Sequence, residues 1–253
     1  MNEVIKIGGN ELDDVQFVQG LVQAIKSLAR PVVLVHGGGK EISAMQTRLG
    51  LEPRYVEGLR VTDDESLAVT QMILIGLVNK RLVAALLAAG VDALGLSGVD
   101  RALVQAEKLE HPQGDLGWVG RIANVRAEVL RDLLRAGVTP VLAPLCWGND
   151  GHIYNVNADH VAEAVARALA AEALVYVSNV PGVLVAGQLA ARPSPEQVDT
   201  WIADGTISGG MIPKVRSALA ALEHGVAAVR ITNLEGLTQG GGTVISAAQR
   251  QSG

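Results

Sequence analysis

The chain of 253 residues has a single cysteine, and aromatic residues make up only 3% of it. One thiol excludes an internal disulfide framework and fits a reducing compartment, so a cytoplasmic location is expected. Cys146 itself reads as a small residue at a strand end. With so few aromatics, Ala, Leu and Val must fill the interior. The 49% of apolar residues suffices for one large domain or two small lobes. There is no basic excess: the net charge is −5, which argues against nucleic acid or an anionic membrane surface as partner. The longest apolar run, Leu67 to Val78, is broken by Thr70 and Gln71 and ends at Asn79-Lys80-Arg81, short of a membrane span. The start of the chain, with acidic Glu3, has no signal-peptide architecture. The histidines lack metal-ligand spacing, and no metal is assigned to them. Two familiar nucleotide signatures are also missing. Lys40 follows three glycines but is trailed by Glu41, with the wrong glycine spacing for a P-loop, and no Gly-x-Gly-x-x-Gly stands in a matching strand context.

What is present is an alternation of strand-like and helix-like runs. Strands are expected at Glu3–Ile7, Val32–His36, Asp92–Leu96, Thr139–Leu142, Ala173–Ser178 and Ala227–Thr232. Helices are expected at Asp13–Leu28, Lys40–Leu49, Asp63–Ala88, Arg126–Arg135, Asn157–Leu169 and Met211–Glu223, several closed by glycines such as Gly90, Gly137 and Gly225. Leu103–Gly120 looks like β-hairpin material, and Gly187–Pro195 like a surface loop. Such alternation implies an α/β fold with a mostly parallel sheet and helices on both faces. Ligands then bind beyond the carboxyl ends of the strands.

Two glycine-rich turns sit at such ends: Gly8-Gly9 after the first strand and Gly37-Gly38-Gly39 after the second. Without Cβ, the backbone can come close to a ligand, and a helix N-terminus beyond offers unpaired N–H groups to an anion. Lys6, just before the first turn, could place an ammonium over phosphate oxygens. His36 is expected to be structural beside the second turn. Arg60, in Gly58-Leu59-Arg60-Val61-Thr62-Asp63, is suited to gripping a carboxylate through two parallel hydrogen bonds. Thr62 or Asp63 can cap the helix that follows. In Asn155-Val156-Asn157-Ala158-Asp159, Asn157 is a natural N-cap and Asp159 suits the first helical turn, where it could orient ammonium groups or a metal. Asn155 is left without a capping role. In Gly209-Gly210-Met211-Ile212-Pro213-Lys214, Pro213 fits a first helical turn but Lys214 opposes the helix dipole. A phosphate at that helix end would reverse the sign of the second statement.

Together these segments resemble the amino-acid kinase family, and within it the branch that phosphorylates N-acetyl-L-glutamate. The matching pieces also include Asn79-Lys80, Gly95-Leu96-Ser97-Gly98, Leu116-Gly117-Trp118-Val119-Gly120 and Ser178-Asn179-Val180-Pro181-Gly182-Val183. They span nearly the whole chain in the family's order, and Gly-Leu-Arg-Val-Thr is the more specific mark of that branch.

The resemblance implies a three-layer αβα sandwich around a mostly parallel open sheet. It implies an acceptor and dimerisation lobe over about 1–170 and an ATP lobe over about 171–253. ATP with Mg²⁺ would phosphorylate the side-chain carboxylate of N-acetyl-L-glutamate, a step of arginine biosynthesis. In family terms Lys6 and Lys214 would stabilise the transferring phosphoryl group and Asp159 would hold both lysines. Gly8, Gly9, Gly38 and Gly39 would offer backbone N–H groups to phosphate and acceptor. Arg60 and Asn155 would bind the acceptor's α-carboxylate end. Ser178, Asn179, Val180, Pro181, Gly182 and Val183, with Thr206, Ile207, Ser208 and Gly210, would line the nucleotide site. Mg²⁺ would be held mostly by phosphates and water. Only five residues precede Lys6, which implies a homodimer insensitive to arginine rather than a hexamer. Ala173–Pro181 and Leu77–Val83 are also similar to kinases acting on carrier-protein-linked aminoadipate. Those relatives look to have extra residues before the arginine segment and a residue other than glycine in the fourth position of the motif that begins with the histidine, which is Gly39 here, so this reading ranks second. A catalytically silent regulatory homologue would be expected to lack a lysine or Asp159, and all three are present.

Overall fold

A computed structural model describes residues 3–9 and 11–247. The elements in chain order are β1 (Glu3–Ile7), α1 (Val15–Ser27), β2 (Val33–His36), α2 (Gly39–Arg48), β3 (Tyr55–Val56), β4 (Leu59–Arg60) and α3 (Asp64–Gln71). A π-helical segment (Met72–Asn79) joins α3 to α4 (Lys80–Ala88), and β5 (Ala93–Ser97), β6 (Val104–Lys108) and β7 (Gly120–Val125) follow. Next come α5 (Ala127–Arg135), β8 (Thr139–Ala143), β9 (Leu145–Gly148), β10 (Ile153–Asn155), α6 (Ala158–Leu169) and β11 (Ala173–Val177). The chain closes with β12 (Leu184–Val185), β13 (Gln188–Leu189), α7 (Pro195–Ala203), α8 (Met211–Glu223), β14 (Ala228–Thr232), α9 (Leu234–Gln239) and β15 (Thr243–Ser246). Residues 248–253, the end of the expected ATP lobe, lie outside the described residues.

The strands form a seven-stranded sheet in the order β15-β14-β11-β1-β2-β8-β5. All its pairs are parallel except β14 with β15. Both faces are covered, so consecutive residues of a strand enter opposite cores. Val4, Val33, Val35, Leu174 and Val229 pack under α5, α6 and α8, whereas Ile5, Ile7, Leu34, Val175 and Val177 pack under α1, α4 and α9. Lys6 and Tyr176 continue the first of these two rows at the carboxyl ends of β1 and β11, where they are register partners. A second, four-stranded sheet has the order β10-β9-β6-β7, and the chain enters it directly from the carboxyl end of β8.

Most expected elements are found where the pattern puts them. Asp14, Asp63 and Asn157 cap their helices through side-chain oxygens. The long helix runs unbroken over Asp64–Ala88 and is long and apolar enough, by length and composition, to cross a membrane. The apolar run alone concealed this. About a third of its most apolar stretch is buried: Val69, Ile73, Leu74, Val78, Leu82 and Leu86 enter the core. The surface loop expected at Gly187–Pro195 holds β13 and the start of α7 instead. A capping box, Ser194 with Gln197, opens that helix.

Candidate active site

The two glycine turns touch. A Cβ on Gly9 would fall against the backbone nitrogen of Gly38 and 2.9 Å from Gly37 C, so only glycine lets the loops approach this closely. Gly37 N–H donates to Ile7 O at 3.2 Å, tying the second turn to the end of β1. A Cβ on Gly38 would lie 2.6 Å from Leu74 Cδ2, so the π-helical segment backs the same loop.

His36 locks this arrangement from inside. It is fully buried, with Nδ1 2.9 Å from Gly37 O and Nε2 3.1 Å from Asn79 Nδ2. A carbonyl can only accept, so Nδ1 carries the proton and Nε2 accepts from the amide. Burial pushes the imidazole pKa down to about 4. Asn79 also donates to Val141 O at 2.9 Å, which fixes the helix to β8. The structural role expected for His36 is the one observed.

One cavity lies on each side of the glycine contact. The first, of about 220 Å³, is lined by Lys6, Gly8, Gly9, Glu11, Asp159, Tyr176, Ser178 and Lys214 among others. Lys6 Nζ is 2.7 Å from Asp159 Oδ1, an ion pair across β1 and the first turn of α6. Asn157 Oδ1 caps that helix by accepting from Asp159 N–H at 2.8 Å. The capping that accounts for Asn157 thus also presents Asp159 to the lysine. Lys214, in the first turn of α8, faces the same space, so this cavity gathers two ammonium groups, the carboxylates of Glu11 and Asp159, and the Gly8-Gly9 turn.

The second cavity, of about 200 Å³, is lined by Gly37, Gly38, Gly39, Arg60, Asn155 and the apolar Ile42, Leu74, Val119 and Val156. Arg60 is 8% exposed. It donates from Nη2 to Gly39 O at 2.9 Å and to Ser43 Oγ at 2.8 Å, and from Nη1 to Gln46 Oε1. Gln46 in turn donates to Ser66 Oγ at 2.9 Å. The Tyr55 ring covers the guanidinium with its centroid 4.8 Å away. With both Nη2 protons committed to protein acceptors, the expected two-pronged grip on a carboxylate is not on offer in this state; Nε–H and one Nη1–H remain. Asn155 Nδ2 donates to Thr62 Oγ1 at 3.1 Å, and Thr62 Oγ1 donates to Arg60 O at 2.8 Å. Thr62 therefore joins the two candidate acceptor-binding residues.

The remaining candidates divide. Ser178 lines the lysine-bearing cavity, whereas Asn179, Val180 and Pro181 follow it on the loop beyond β11. Gly182 packs against Thr243, and Val183 accepts no solvent. The side chains of Val183 and Ile207 are in the core, so any contact from them with a nucleotide would be through backbone. Thr206, Ser208 and Gly210 are exposed on the segment leading into α8. Cys146 is fully buried, and burial pushes its thiol pKa far up, so it is no nucleophile. Three residues central to the geometry were given no role in advance: Gln46 and Tyr176 sit within runs that read as ordinary helix or strand, and Asn79 entered only as part of the matching Asn79-Lys80 piece.

Comparison with known proteins agrees with this architecture. The amino acid kinase family model matches residues 1–233. The acetylglutamate kinase of Roseiflexus sp. (strain RS-1) is 58% identical over 243 residues, covering 96% of this chain and 93% of that protein. Among solved structures, smu.665 from Streptococcus mutans UA159 aligns with a TM-score of 0.79 at 32% identity, over 97% of this chain and 98% of that one. The N-acetylglutamate synthase of Neisseria gonorrhoeae, solved with coenzyme A and N-acetyl-glutamate, aligns with a TM-score of 0.83 at 28% identity, over 97% of this chain and 59% of the synthase. On sequence and fold together, the chain belongs to the amino acid kinase family.

Proposed function

We propose that the protein transfers the γ-phosphoryl group of ATP to the side-chain carboxylate of N-acetyl-L-glutamate, giving N-acetyl-L-glutamyl 5-phosphate, in arginine biosynthesis. The observation that carries this reading is the pair of cavities meeting at the glycine turns, one holding two ammonium groups and the other an arginine. Relatives at 45–58% identity carry the name acetylglutamate kinase.

A carboxylate is already a nucleophile at neutral pH, so no general base is required. The difficulty is bringing two anions together, and positioning with electrostatic stabilisation must supply most of the rate. Lys6 and Lys214 face the triphosphate and stabilise the charge on the transferring group. Asp159 keeps Lys6 aimed. Backbone N–H groups of Gly8, Gly9, Gly38 and Gly39 hold phosphate and acceptor oxygens at a distance no side chain obstructs. Arg60 and Asn155 take the α-carboxylate end, while Ile42, Leu74, Val119 and Val156 give the acetyl group an apolar wall. Ser178 to Val183 and Thr206 to Gly210 border the nucleotide in the lobe over about 171–253. Among the described residues no group of three or more His, Cys, Asp or Glu could hold a metal. Mg²⁺ would accompany ATP, held mostly by phosphates and water, where it would neutralise charge.

A cytoplasmic homodimer completes the reading. Met72, Leu77 and Leu87 on the long helix are 63%, 45% and 52% exposed, and Leu94 lies on β5, the end strand of the sheet. A second copy would cover this apolar face.

The test is an acyl-phosphate trapping assay with ATP, Mg²⁺ and N-acetylglutamate in hydroxylamine. Hydroxamate should accumulate in proportion to enzyme, and a purified, folded protein that yields none overturns the proposal.

A further inference from the structure

Tyr176 is the unused group in this site. Its residue surface is 6% exposed, yet its hydroxyl forms no hydrogen bond with any described residue. It forms part of the floor of the lysine-bearing cavity and of a neighbouring one of about 270 Å³ between α6 and α8, which also meets Asp159 and Glu163. Lys6 Nζ stands 6.0 Å from the ring centroid. Burial, with the carboxylates of Asp159 and Glu163 facing it, pushes the phenol pKa far up, so the hydroxyl is a donor at every working pH. The hydroxyl opens onto the cavity and is therefore free to donate to an acceptor brought within reach.

A matching acceptor is close by. Asp159 Oδ1 is buried and has no aligned hydrogen bond; Lys6 meets it as an ion pair only. A carboxylate can take about four hydrogen bonds. Once triphosphate enters, its charge draws the Lys6 and Lys214 ammonium groups towards itself, and Asp159 is left to be held from below.

Resting on the kinase reading of this site, we propose that Tyr176 is a positioning residue: its hydroxyl donates to Asp159 in the nucleotide complex and keeps the carboxylate oriented while Lys6 serves the phosphoryl group. No covalent step is involved. No local pattern hints at this role, since Ala173-Leu174-Val175-Tyr176-Val177 reads as an apolar core strand.

The experiment compares the full-length protein with its Tyr176→Phe variant, which keeps the ring. The kcat for acyl-phosphate formation should fall about tenfold, the effect of one hydrogen bond to a charged group, with both KM values within about twofold. Melting temperature should not fall, because an unpartnered hydroxyl is being removed. In an Asp159→Asn background the same substitution should change kcat less than about twofold, as coupled residues require. The carboxyl ¹³C chemical shift of Asp159, in the complex with Mg²⁺ and a non-hydrolysable ATP analogue, should differ between wild type and Tyr176→Phe, as loss of a hydrogen bond to the carboxylate requires. An unchanged kcat, an equal loss in both backgrounds, or an unmoved Asp159 carboxyl resonance overturns the proposal. A wild-type protein inactive towards N-acetylglutamate overturns only the acceptor assigned above. The carboxyl resonance needs nucleotide alone, and it then decides Tyr176.

Discussion

Lowering the pH should loosen the glycine turn through His36. The unfolded chain takes up a proton on this histidine near pH 6.5, whereas the folded protein refuses it until about pH 4. The unfolded state therefore binds more protons between these values, and stability falls as pH drops through that window. The gap of 6.5 − 4 is 2.5 units, and at about 1.36 kcal/mol per unit the full loss is about 3 kcal/mol below pH 4. The loss is about 2 kcal/mol at pH 5 and a few tenths at pH 7. At roughly 2–4 °C per kcal/mol for a domain of this size, the melting temperature should drop by about 4–8 °C from pH 7 to pH 5 on this account alone. The assay is thermal unfolding of the protein and of His36→Asn across pH 7 to 4.5. Asn keeps a donor for Gly37 O but cannot titrate, so the variant should start lower and fall less steeply. Carboxylates contribute equally to both proteins and cancel in the difference. Parallel pH profiles for the two would refute the argument that the buried imidazole stays neutral.

Three further outcomes follow from the site. Gly9→Ala should cost about 1–3 kcal/mol in thermal unfolding and abolish most activity, because the methyl has only the Gly37–Gly38 backbone to displace; a fully active variant would contradict the close approach. Arg60→Ala should raise the KM for N-acetylglutamate by about tenfold to a hundredfold, the loss of charge-assisted hydrogen bonds, and leave the KM for ATP in place. An effect confined to ATP would remove Arg60 from the acceptor cavity. For Lys214→Ala, kcat should fall by about a hundredfold or more with little change in nucleotide affinity measured by calorimetry; an unchanged turnover number would take Lys214 out of the mechanism.

The parallel strands were legible because both faces of each are buried, so they read as short apolar runs ended by glycine or proline. β9 and β10 were harder to see. Leu145–Gly148 and Ile153–Asn155 are brief, although Asn149-Asp150-Gly151 between them is a hairpin signal. Helix α7 announced itself through Ser194-Pro195-Glu196-Gln197, a capping box that could have been read in advance. In the site, the residues whose local preference was violated or unexplained, Lys6, Arg60, Asn155 and Lys214, do line the two cavities. What stayed hidden depends on long-range pairing. Gln46 reaches Arg60 across 14 positions and Asn79 reaches His36 across 43, and nothing local to either residue records the partner. The apolar reading of Val183 and Ile207 as core material was available from their chemistry alone.

The partition between the two cavities is bare main chain, and this has a consequence for how such an enzyme can diversify. Where side chains form a dividing wall, changing one compartment reshapes the other. Here Ile42, Val119 and Val156 can be exchanged for larger, smaller or more polar residues, altering what fits beside Arg60, while the lysines keep their separation from the glycines. The acceptor compartment is thus free to drift under selection for new carboxylates, and the phosphoryl machinery can be inherited intact.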